Sequence, residues 1–247
     1  MIVGNGMIAT AFKKHIKSSG DVIFASGVSD SSCTIKSEYN REIKLLQQTI
    51  GNCLFNKKRI IYFSSAGEIY GDCLEAKSEN SLPNPITEYG HHKADCEKEI
   101  VNSGVDYLIL RLPNAVGFNQ NKKQLIPFLV NRAIHGKVEL QQDATRDLLG
   151  VEDLAQLTVN LANSVKNNEI INLASGISIA VTDIFNEIEN ILDVKAYVKL
   201  VNGGVKHNFS IDKLTELLNI SFQVDYWIQT LTKYVSPVSL NFYKKYC

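Results

Sequence analysis

The first half of the chain alternates between short runs of consecutive apolar residues and longer stretches in which apolar residues recur at helical spacing. We predict strands over Met1 to Val3, Val22 to Ser26, Arg59 to Ser65 and Tyr107 to Leu112. The third run is continuously apolar before its two serines, a pattern typical of strands that are buried on both faces of a parallel sheet. Strand and helix therefore alternate, which predicts an α/β fold with a parallel sheet and right-handed crossovers.

The stretches between these strands predict three helices. The first contains Phe12 and Ile16, and the second begins near Tyr39 and ends near Gly51. The third follows Thr87, whose hydroxyl can cap a helix, and it stops at the serine and glycine of positions 103 and 104.

The second half of the chain is less regular. There we predict a polar loop over residues 114–124, a connection over residues 143–150 and a buried strand from Ile170 to Ala174. The predicted helices run from Leu125 to Ile134, from Glu152 to Asn163, from Thr182 onward with a clear apolar stripe, and as two short segments around Leu214 and Trp227. No internal repeat or low-complexity linker divides the chain, so any second unit is predicted to be built onto the first.

A glycine-rich turn follows the first predicted strand. Residues 4 to 9 read Gly-Asn-Gly-Met-Ile-Ala, the pattern GxGxxA between a strand and a helix. Gly4 permits a tight turn, Gly6 lets a pyrophosphate approach the backbone, and the small Ala9 lets helix and strand pack closely. Because a helix N-terminus attracts anions, this turn is a candidate site for a dinucleotide, although the pattern by itself also fits a turn without a ligand.

Tyr89 and Lys93 stand four residues apart on a predicted helix. Positions i and i+4 share one face of a helix, so the hydroxyl and the ammonium can project into the same site. A free tyrosine titrates near ~10, and a neighbouring cation favours the phenolate. The pair is therefore a candidate acid and base, and the alternative is two solvated residues on a helix surface.

Composition and charge exclude several functional classes. The chain is 45% hydrophobic and 21% charged, with 26 lysines and arginines against 26 aspartates and glutamates. This balance predicts no nucleic-acid partner and no anionic membrane partner. No apolar run reaches the ~18 residues of a membrane span and no basic leader opens the sequence, so we predict a cytoplasmic protein. The five cysteines are scattered without a C-x-x-C pair, which predicts neither a metal site nor disulfides.

Taken together, the motifs resemble the extended short-chain dehydrogenase/reductase family of nucleotide-sugar epimerases, dehydratases and 4-ketoreductases. The resemblance spans about two thirds of the chain and keeps the family's order of motifs. The matching segments are GNGMIA at 4–9, VIFASG at 22–27, FSSAGEIYG at 63–71, YGHHK at 89–93, LRLPNAVG at 110–117, QLIP at 124–127, RDLLGVEDLA at 146–155 and NLASG at 172–176.

The resemblance implies a shortened Rossmann-like, doubly wound parallel sheet with a small C-terminal substrate-binding region. A dinucleotide-binding domain is expected over residues 1–120, with residues 145–175 returning to it, and a mainly substrate-binding region over residues 121–247. The implied cofactor is NAD or NADP, with NADPH slightly favoured for a reductase. The implied partners are a nucleotide sugar and a second copy of the chain, which would form a homodimer through the helix that carries Tyr89 and Lys93 and its predecessor. Leu45, Leu46 and Ile50 fit that preceding helix, but they equally fit the core of the single chain.

The resemblance also assigns site residues. Ser65, or alternatively the adjacent Ser64, would hold the substrate oxygen while Tyr89 transfers a proton, and Lys93 would orient the nicotinamide ribose and lower the tyrosine pKa. The remaining implied cofactor contacts are Gly4, Asn5, Gly6, Met7, Ile8, Ala25, Ser26, Gly27 and Ser64. The implied substrate contacts are Ser65, Asn114, Gln124, Leu125 and Arg146, whose guanidinium suits a pyrophosphate.

Other interpretations of these residues remain open. The two serines could be ordinary turn residues at a strand end. Arg146 could form an ion pair with Asp147 or Asp153. The histidines at positions 91 and 92 are expected to be exposed helix residues rather than catalytic groups.

Three departures from the family pattern shape the functional prediction. The family's usual second and third strands are missing, and with them the loop that grips the adenosine ribose, so NAD and NADP cannot be told apart. Gly67-Glu68 stands where dehydratases carry Asp-Glu, which argues against dehydration. The residues at positions 38 to 41 replace the family's asparagine-valine-x-glycine stretch.

We therefore expect an NAD(P)-dependent oxidoreductase acting on a nucleotide-diphosphate sugar, most simply a 4-keto sugar reductase for deoxysugar and polysaccharide biosynthesis. A C4 epimerase is the alternative within this class. A non-catalytic, dinucleotide-binding regulatory protein is the alternative outside it.

Overall fold

The computed structural model describes residues 1–15, 20–166 and 168–235. Ile16 of the predicted first helix and the C-terminal tail lie outside the described residues. The strands are β1 (Ile2–Val3), β2 (Val22–Phe24), β3 (Ile60–Ser65), β4 (Tyr107–Leu112), β5 (Asn114–Val116), β6 (Lys137–Gln141), β7 (Thr145–Arg146), β8 (Leu148–Gly150), β9 (Glu169–Asn172), β10 (Ile179–Ala180) and β11 (Tyr197–Val201). The helices are α1 (Met7–His15), α2 (Lys36–Asn56), α3 (Ala66–Tyr70), α4 (Glu88–Asn102), α5 (Leu125–Ile134), α6 (Val151–Ser164), α7 (Val181–Leu192), α8 (Asp212–Leu218) and α9 (Tyr226–Val235).

A parallel sheet with helices on both faces is the centre of the fold. Its five strands lie in the order β1-β2-β3-β4-β9, and every neighbouring pair is parallel. Because successive side chains of a strand point to opposite faces, Ile61 and Phe63 pack on the side of α1 and α6, whereas Ile60 and Tyr62 pack on the side of α2 and α4. The prediction of an α/β fold with a Rossmann-like parallel sheet is confirmed.

The prediction of right-handed crossovers throughout is wrong. The chain steps across the sheet in one direction from β1 to β2 to β3, but α1 crosses one face and α2 crosses the other. Two crossovers that advance the same way over opposite faces have opposite hands. The physical reason is the shortened sheet: in the common order 3-2-1-4-5-6, strands 2 and 3 lie beyond strand 1. Without them, strand 1 becomes an edge strand beside the next strand while its helix keeps its face.

β1 is a short edge strand. It pairs with β2 through Ile2 with Ile23 and Val3 with Phe24, and no strand within the described ranges pairs with its other edge. The family's usual second and third strands, which the sequence predicted to be missing, do not occur beyond β1 in the described residues.

α2 is longer than predicted. The helix continues through Gly51 to Asn56 and ends where Lys57 takes a left-handed conformation with φ of 52°. A glycine inside a helix costs roughly 1 kcal/mol. Ile50 and Cys53 on either side of this glycine are buried against the sheet, and this packing outweighs the penalty.

The second half of the chain contains three strand pairs that the sequence did not indicate. β5 pairs with β8 and β6 with β11, both parallel, and β7 pairs with β10 antiparallel. β5 lies in the predicted polar loop, and β7 and β8 lie in the predicted connection. The strand predicted from Ile170 to Ala174 is β9, which ends earlier, at Asn172.

One buried core continues from Phe12 of α1 to Phe185 of α7 and Leu231 of α9. None of the helices in the described ranges has the length and apolar character that a membrane crossing needs.

Candidate active site

A cleft opens at the carboxyl ends of the sheet strands, where ligands of open α/β sheets bind. Its volume is about 430 Å³. Ala25 follows β2, Ser64 and Ser65 end β3, and Leu112 ends β4, and all four line the cleft. Of the residues predicted for the site, only Gly4, Asn5 and Ser26 do not line this cleft. The predicted residues that line it are Gly6, Met7, Ile8, Ala25, Gly27, Ser64, Ser65, Tyr89, Lys93, Asn114, Gln124, Leu125 and Arg146.

The glycine turn has the geometry of a phosphate cradle. Gly4 has φ of +124°, and a β-carbon on it would lie 2.2 Å from the Ala25 carbonyl oxygen, so only glycine lets the turn pack on the end of β2. A β-carbon on Gly6 would meet nothing within 4 Å, so its backbone lies open to the cleft. The Gly6 carbonyl accepts the Thr10 amide at 2.9 Å and starts the first turn of α1. The open backbone at this helix N-terminus fits a pyrophosphate.

Tyr89 lies in the first turn of α4, half-buried in the cleft wall. Thr87 caps this helix as predicted: its Oγ1 accepts the Gly90 amide at 2.9 Å and donates to Glu68 Oε2 at 2.6 Å. Within the described ranges no residue forms a hydrogen bond with the Tyr89 hydroxyl. Burial raises the pKa of Tyr89 to about 12, against the opposing effect of Lys93. Lys93 thus lowers this pKa as expected, but burial outweighs the cation and the pKa stays above its ordinary value.

Lys93 points inward and is fully hydrogen bonded. Its Nζ lies 2.8 Å from Glu42 Oε1, 3.1 Å from the Tyr62 hydroxyl and 3.4 Å from the Phe63 carbonyl oxygen. An ammonium has three N–H donors, so these acceptors use all of them. The Tyr89 ring centroid is 5.6 Å from Nζ. Contact with a nicotinamide ribose would require Lys93 to give up one of these bonds, and the longest is the one to Phe63.

Gly27 makes room for this lysine. A β-carbon at Gly27 would lie 2.8 Å from Lys93 Nζ and 3.1 Å from Glu42 Oε1. The missing side chain at the end of β2 thus allows the buried ion pair to pack against the backbone. This is a structural role that the sequence did not suggest.

Glu42 is the buried partner that the sequence analysis missed. Its side chain is completely inaccessible, and Oε2 accepts the Val28 amide at 2.7 Å and lies 3.0 Å from His92 Nε2. Burial alone would raise the pKa of Glu42, but Lys93 and His92 outweigh it and hold the pKa well below its usual range. His92 is buried, so the expectation that it would be exposed is wrong, whereas His91 is exposed. Glu42, His92 and Cys96 form a group whose potential metal-ligand atoms lie within 4.8 Å of one another. Hydrogen bonds already occupy both oxygens of Glu42.

The two serines of β3 have different environments. Ser65 caps α3, because its Oγ accepts the Glu68 amide at 3.4 Å, and its own hydroxyl proton remains available. Ser64 is buried, and its Oγ has no partner among the described residues. Both serines line the cleft, so both remain candidates for holding a substrate oxygen.

Arg146 is an arginine without a carboxylate partner in the described part of the chain. Its Nη1 donates to the carbonyls of Thr145 at 2.7 Å and Val205 at 2.8 Å. Asp147 turns away and accepts the Ser175 hydroxyl at 2.8 Å. Asp153 accepts instead from the hydroxyl of Tyr226 at 2.7 Å. The suggested ion pair between Arg146 and either aspartate is therefore wrong. The Arg146 guanidinium lines the cleft without a carboxylate partner in the described residues.

The two remaining predicted substrate contacts with polar side chains also lie at the cleft. Asn114 begins β5, and its buried Oδ1 has no partner within the described ranges. Gln124 precedes α5 and bonds to Gln120 at 3.2 Å and to the Ser29 carbonyl at 3.3 Å. Leu125 adds apolar lining beside them.

His207 lines the cleft and was missed by the sequence analysis. A β-carbon on Gly67 would lie 2.2 Å from His207 Cε1, so the imidazole fills the space above this glycine. Burial and the nearby Arg146 lower the pKa of His207 to about 3, so the ring is neutral at neutral pH. Only the glycine at position 67 hinted that another side chain would enter there.

The fold and this cleft together define an α/β protein of the nucleotide-binding, Rossmann-like class. More particularly, residues 5–174 match the model of the NAD dependent epimerase/dehydratase family, and the chain belongs to that family. This confirms the resemblance predicted from the sequence, and with it the class of cofactor, NAD or NADP.

Two curated proteins illustrate the relationship. GDP-6-deoxy-D-talose 4-dehydrogenase of Aggregatibacter actinomycetemcomitans is 33% identical over 139 residues, which are 52% of this chain and 46% of that protein. dTDP-4-dehydro-6-deoxyglucose reductase of Escherichia coli is 27% identical over 187 residues, which are 66% of this chain and 57% of that protein. The matches thus span about half the length of these relatives.

Solved structures share the fold. RMD from Pseudomonas aeruginosa complexed with NADPH has a TM-score of 0.76 at 15% identity, with 95% of this chain and 97% of that chain covered. UDP-glucose 4-epimerase of Thermotoga maritima with UDP-glucose has a TM-score of 0.77 at 19% identity, with 97% and 82% covered. At such identities the likeness shows the fold alone.

Proposed function

We propose that the protein is an NAD(P)-dependent oxidoreductase that reduces a 4-keto nucleotide-diphosphate sugar. The observation that carries this proposal is one cleft that holds an open glycine turn, a tyrosine acid and an unpaired arginine. The turn suits the pyrophosphate of a dinucleotide, and Arg146 suits the diphosphate of the sugar nucleotide. A cytoplasmic location remains a prediction.

The chain supplies the proton and the positioning groups of the proposed reaction. The nicotinamide, when bound, supplies the hydride. Ser65 or Ser64 would donate a hydrogen bond to the substrate carbonyl, and Tyr89 would pass its hydroxyl proton to the carbonyl oxygen. Neutral His207 and the free Oδ1 of Asn114 would contact sugar hydroxyls.

Reduction is favoured over epimerisation by the state of Tyr89. Burial raises the pKa of this tyrosine to about 12, so it holds its proton at neutral pH and is ready to donate. An epimerase must first take a proton from a sugar hydroxyl. The fraction of Tyr89 that is ionised at pH ~7 is roughly 10⁻⁵, so ionising this side chain costs about 7 kcal/mol at that pH. One relative, described as a 4-dehydro sugar reductase, supports the same choice.

Arg146→Met tests the substrate half of the site. Loss of a charge-assisted contact to a diphosphate costs roughly 2 to 5 kcal/mol, so binding of nucleotide sugars should weaken by about 30-fold or more. Calorimetric titration with GDP-, dTDP- and UDP-sugars, and separately with NADH and NADPH, measures both halves. Arg41→Met is the matched control, because Arg41 lies outside the cleft on the surface of α2, where it pairs with Glu38 at 3.2 Å. Unchanged sugar-nucleotide affinity in the Arg146 variant would refute the assignment.

Tyr89→Phe separates an enzyme from a non-catalytic dinucleotide-binding protein. We expect turnover to be lost while cofactor binding remains, because phenylalanine keeps the ring and removes the proton. Undiminished turnover in this variant would overturn the mechanism.

A homodimer is part of the proposal, but the surface differs from the one expected. Leu46 and Ile50 are buried in the protein's own core, and Leu45 packs against it. The exposed apolar side chains on these two helices are Leu54, Phe55 and Val101. Sedimentation of wild type and Phe55→Ser tests the exposed surface, because a dimer formed through it should be lost in the variant. A monomer in both proteins at micromolar concentration would rule out the dimer.

A further inference from the structure

The buried Glu42 beneath the tyrosine has no place in the chemistry described so far. Its carboxylate accepts four hydrogen bonds, of which the shortest are from the Val28 amide at 2.7 Å and Lys93 Nζ at 2.8 Å. The Tyr62 hydroxyl donates to Oε1 at 3.0 Å, and His92 Nε2 lies at the same distance from Oε2. These contacts tie α2, β3 and α4 together directly beneath the cleft.

The ion pair between Glu42 and Lys93 fixes the position of the lysine. Lys93 is only 2% exposed and Glu42 is inaccessible, so separating them would leave a bare charge in the interior. Removal of one partner from such a pair is strongly unfavourable, and the backbone of Gly27 closes the remaining space. Lys93 therefore stays with Glu42.

The pair also carries no net charge. Tyr89 is faced by Lys93 and Cys96 of its own helix, by Glu42 of α2 and by Glu68 of α3. His92, Tyr62 and Tyr39 surround Glu42, with the Tyr39 and His92 ring centroids 4.6 Å apart. The ammonium is thus the principal cation near the tyrosine within the described ranges, and its charge is cancelled at 2.8 Å.

We propose that Glu42 is a positioning residue that fixes Lys93 and neutralises its charge, so that Tyr89 remains a proton donor. This inference rests on the proposed reductase function and gives it a direction. In that reaction the reduced nicotinamide would be the reductant, becoming oxidised as its hydride goes to the carbonyl carbon, while the Tyr89 O–H bond breaks. The proton goes to the carbonyl oxygen to form the alcohol, and water then returns a proton to the phenolate.

Glu42→Gln tests the proposal in the full chain without substrate. Carbon-13 labelling of the tyrosine ring, with the Tyr89 signal assigned from Tyr89→Phe, reports the phenolate fraction by NMR. The uncompensated ammonium should lower the tyrosine pKa by roughly one unit, so the phenolate fraction at pH ~10 should rise about tenfold over wild type. Glu189→Gln is the matched control, because it removes another buried carboxylate, on α7, that does not contact Lys93, and its Tyr89 fraction should match wild type.

A second comparison keeps the test decisive if Glu42→Gln does not fold. Lys93→Gln leaves Glu42 alone, whereas the double variant Glu42→Gln/Lys93→Gln carries neither charge. The proposal expects a smaller phenolate fraction in the single variant than in the double variant. Equal fractions, or a folded Glu42→Gln protein with the wild-type fraction, would overturn it.

The two proposals fail separately. If the phenolate fraction shifts as expected but no 4-keto nucleotide sugar is reduced, the role of Glu42 stands and the proposed function is wrong. If reduction is observed but the phenolate fraction does not shift, the function stands and the role of Glu42 is wrong.

Discussion

Glu97→Gln should destabilise the protein through the anchor of the helix that carries the site. Glu97 lies on α4, and its carboxylate forms a two-pronged pair with Arg111 of β4, at 3.0 Å to Nε and 2.7 Å to Nη2. Both residues are almost completely buried. Arg111 Nη1 also donates to the Tyr70 hydroxyl at 2.8 Å, which in turn donates to Asn172 Oδ1 at 2.9 Å. The variant leaves the guanidinium charged and buried, with one of its acceptors removed.

The magnitude follows from that burial. Removing one partner of a buried ion pair costs roughly 3 to 5 kcal/mol. For a chain of this size each kcal/mol shifts the melting temperature by ~2 to 4 °C, so the midpoint should fall by about 6 to 20 °C. Urea unfolding followed by circular dichroism gives the free energy directly, and calorimetry gives the midpoint.

The double variant Glu97→Gln/Arg111→Met supplies the control. Without the charge, the desolvation penalty disappears, so the double variant should be more stable than Glu97→Gln and close to wild type. A loss below about 1 kcal/mol in the single variant, typical of exposed pairs, would refute the claim that this pair anchors α4 to the sheet.

Three further predictions concern single positions. Because burial raises the Tyr89 pKa to about 12, the tyrosine keeps its proton as pH rises, and kcat/KM for ketone reduction should be flat from about pH 6 to about pH 10; an alkaline loss of activity centred between about pH 6 and 9 would contradict this. Gly51→Ala, where an added β-carbon meets nothing within 4 Å, should raise the unfolding free energy by about 1 kcal/mol in urea titration, and a decrease would show that the helix is not continuous there. Gly67→Ala should displace His207, lower stability by roughly 1 to 3 kcal/mol and weaken sugar-nucleotide binding in calorimetry; wild-type values for both would mean that the imidazole does not rest on this glycine.

The sequence predicts best what is local. β3 was predicted within one residue because its apolar run is continuous, and α4 because Thr87 caps it. Most of the cleft residues were predicted from the resemblance to the family, and they meet because the ends of parallel strands converge at one edge of the sheet. The pair β6 and β11 was missed, although β6 alternates in polarity, because the two strands lie about sixty residues apart in the chain.

The electrostatics of the site could not be predicted in this way. His92 looks like a surface residue until Glu42, fifty positions earlier, is placed beside it. The Tyr89 and Lys93 spacing correctly put both residues at one site, but the tyrosine pKa depends on burial and on that same distant glutamate. Helix periodicity cannot reveal a partner on another element.

The glycine turn follows β1, the two-residue strand at the edge of the sheet. β1 is held to its neighbour by a few backbone bonds, including those from Ile23 to the Met1 carbonyl and from Ala25 to the Val3 carbonyl, each 2.8 Å long. Nothing among the described strands braces its outer side. Part of the binding free energy of any dinucleotide would therefore be spent on ordering this margin, so cofactor affinity and local hydrogen-exchange protection of residues 2–9 should rise and fall together.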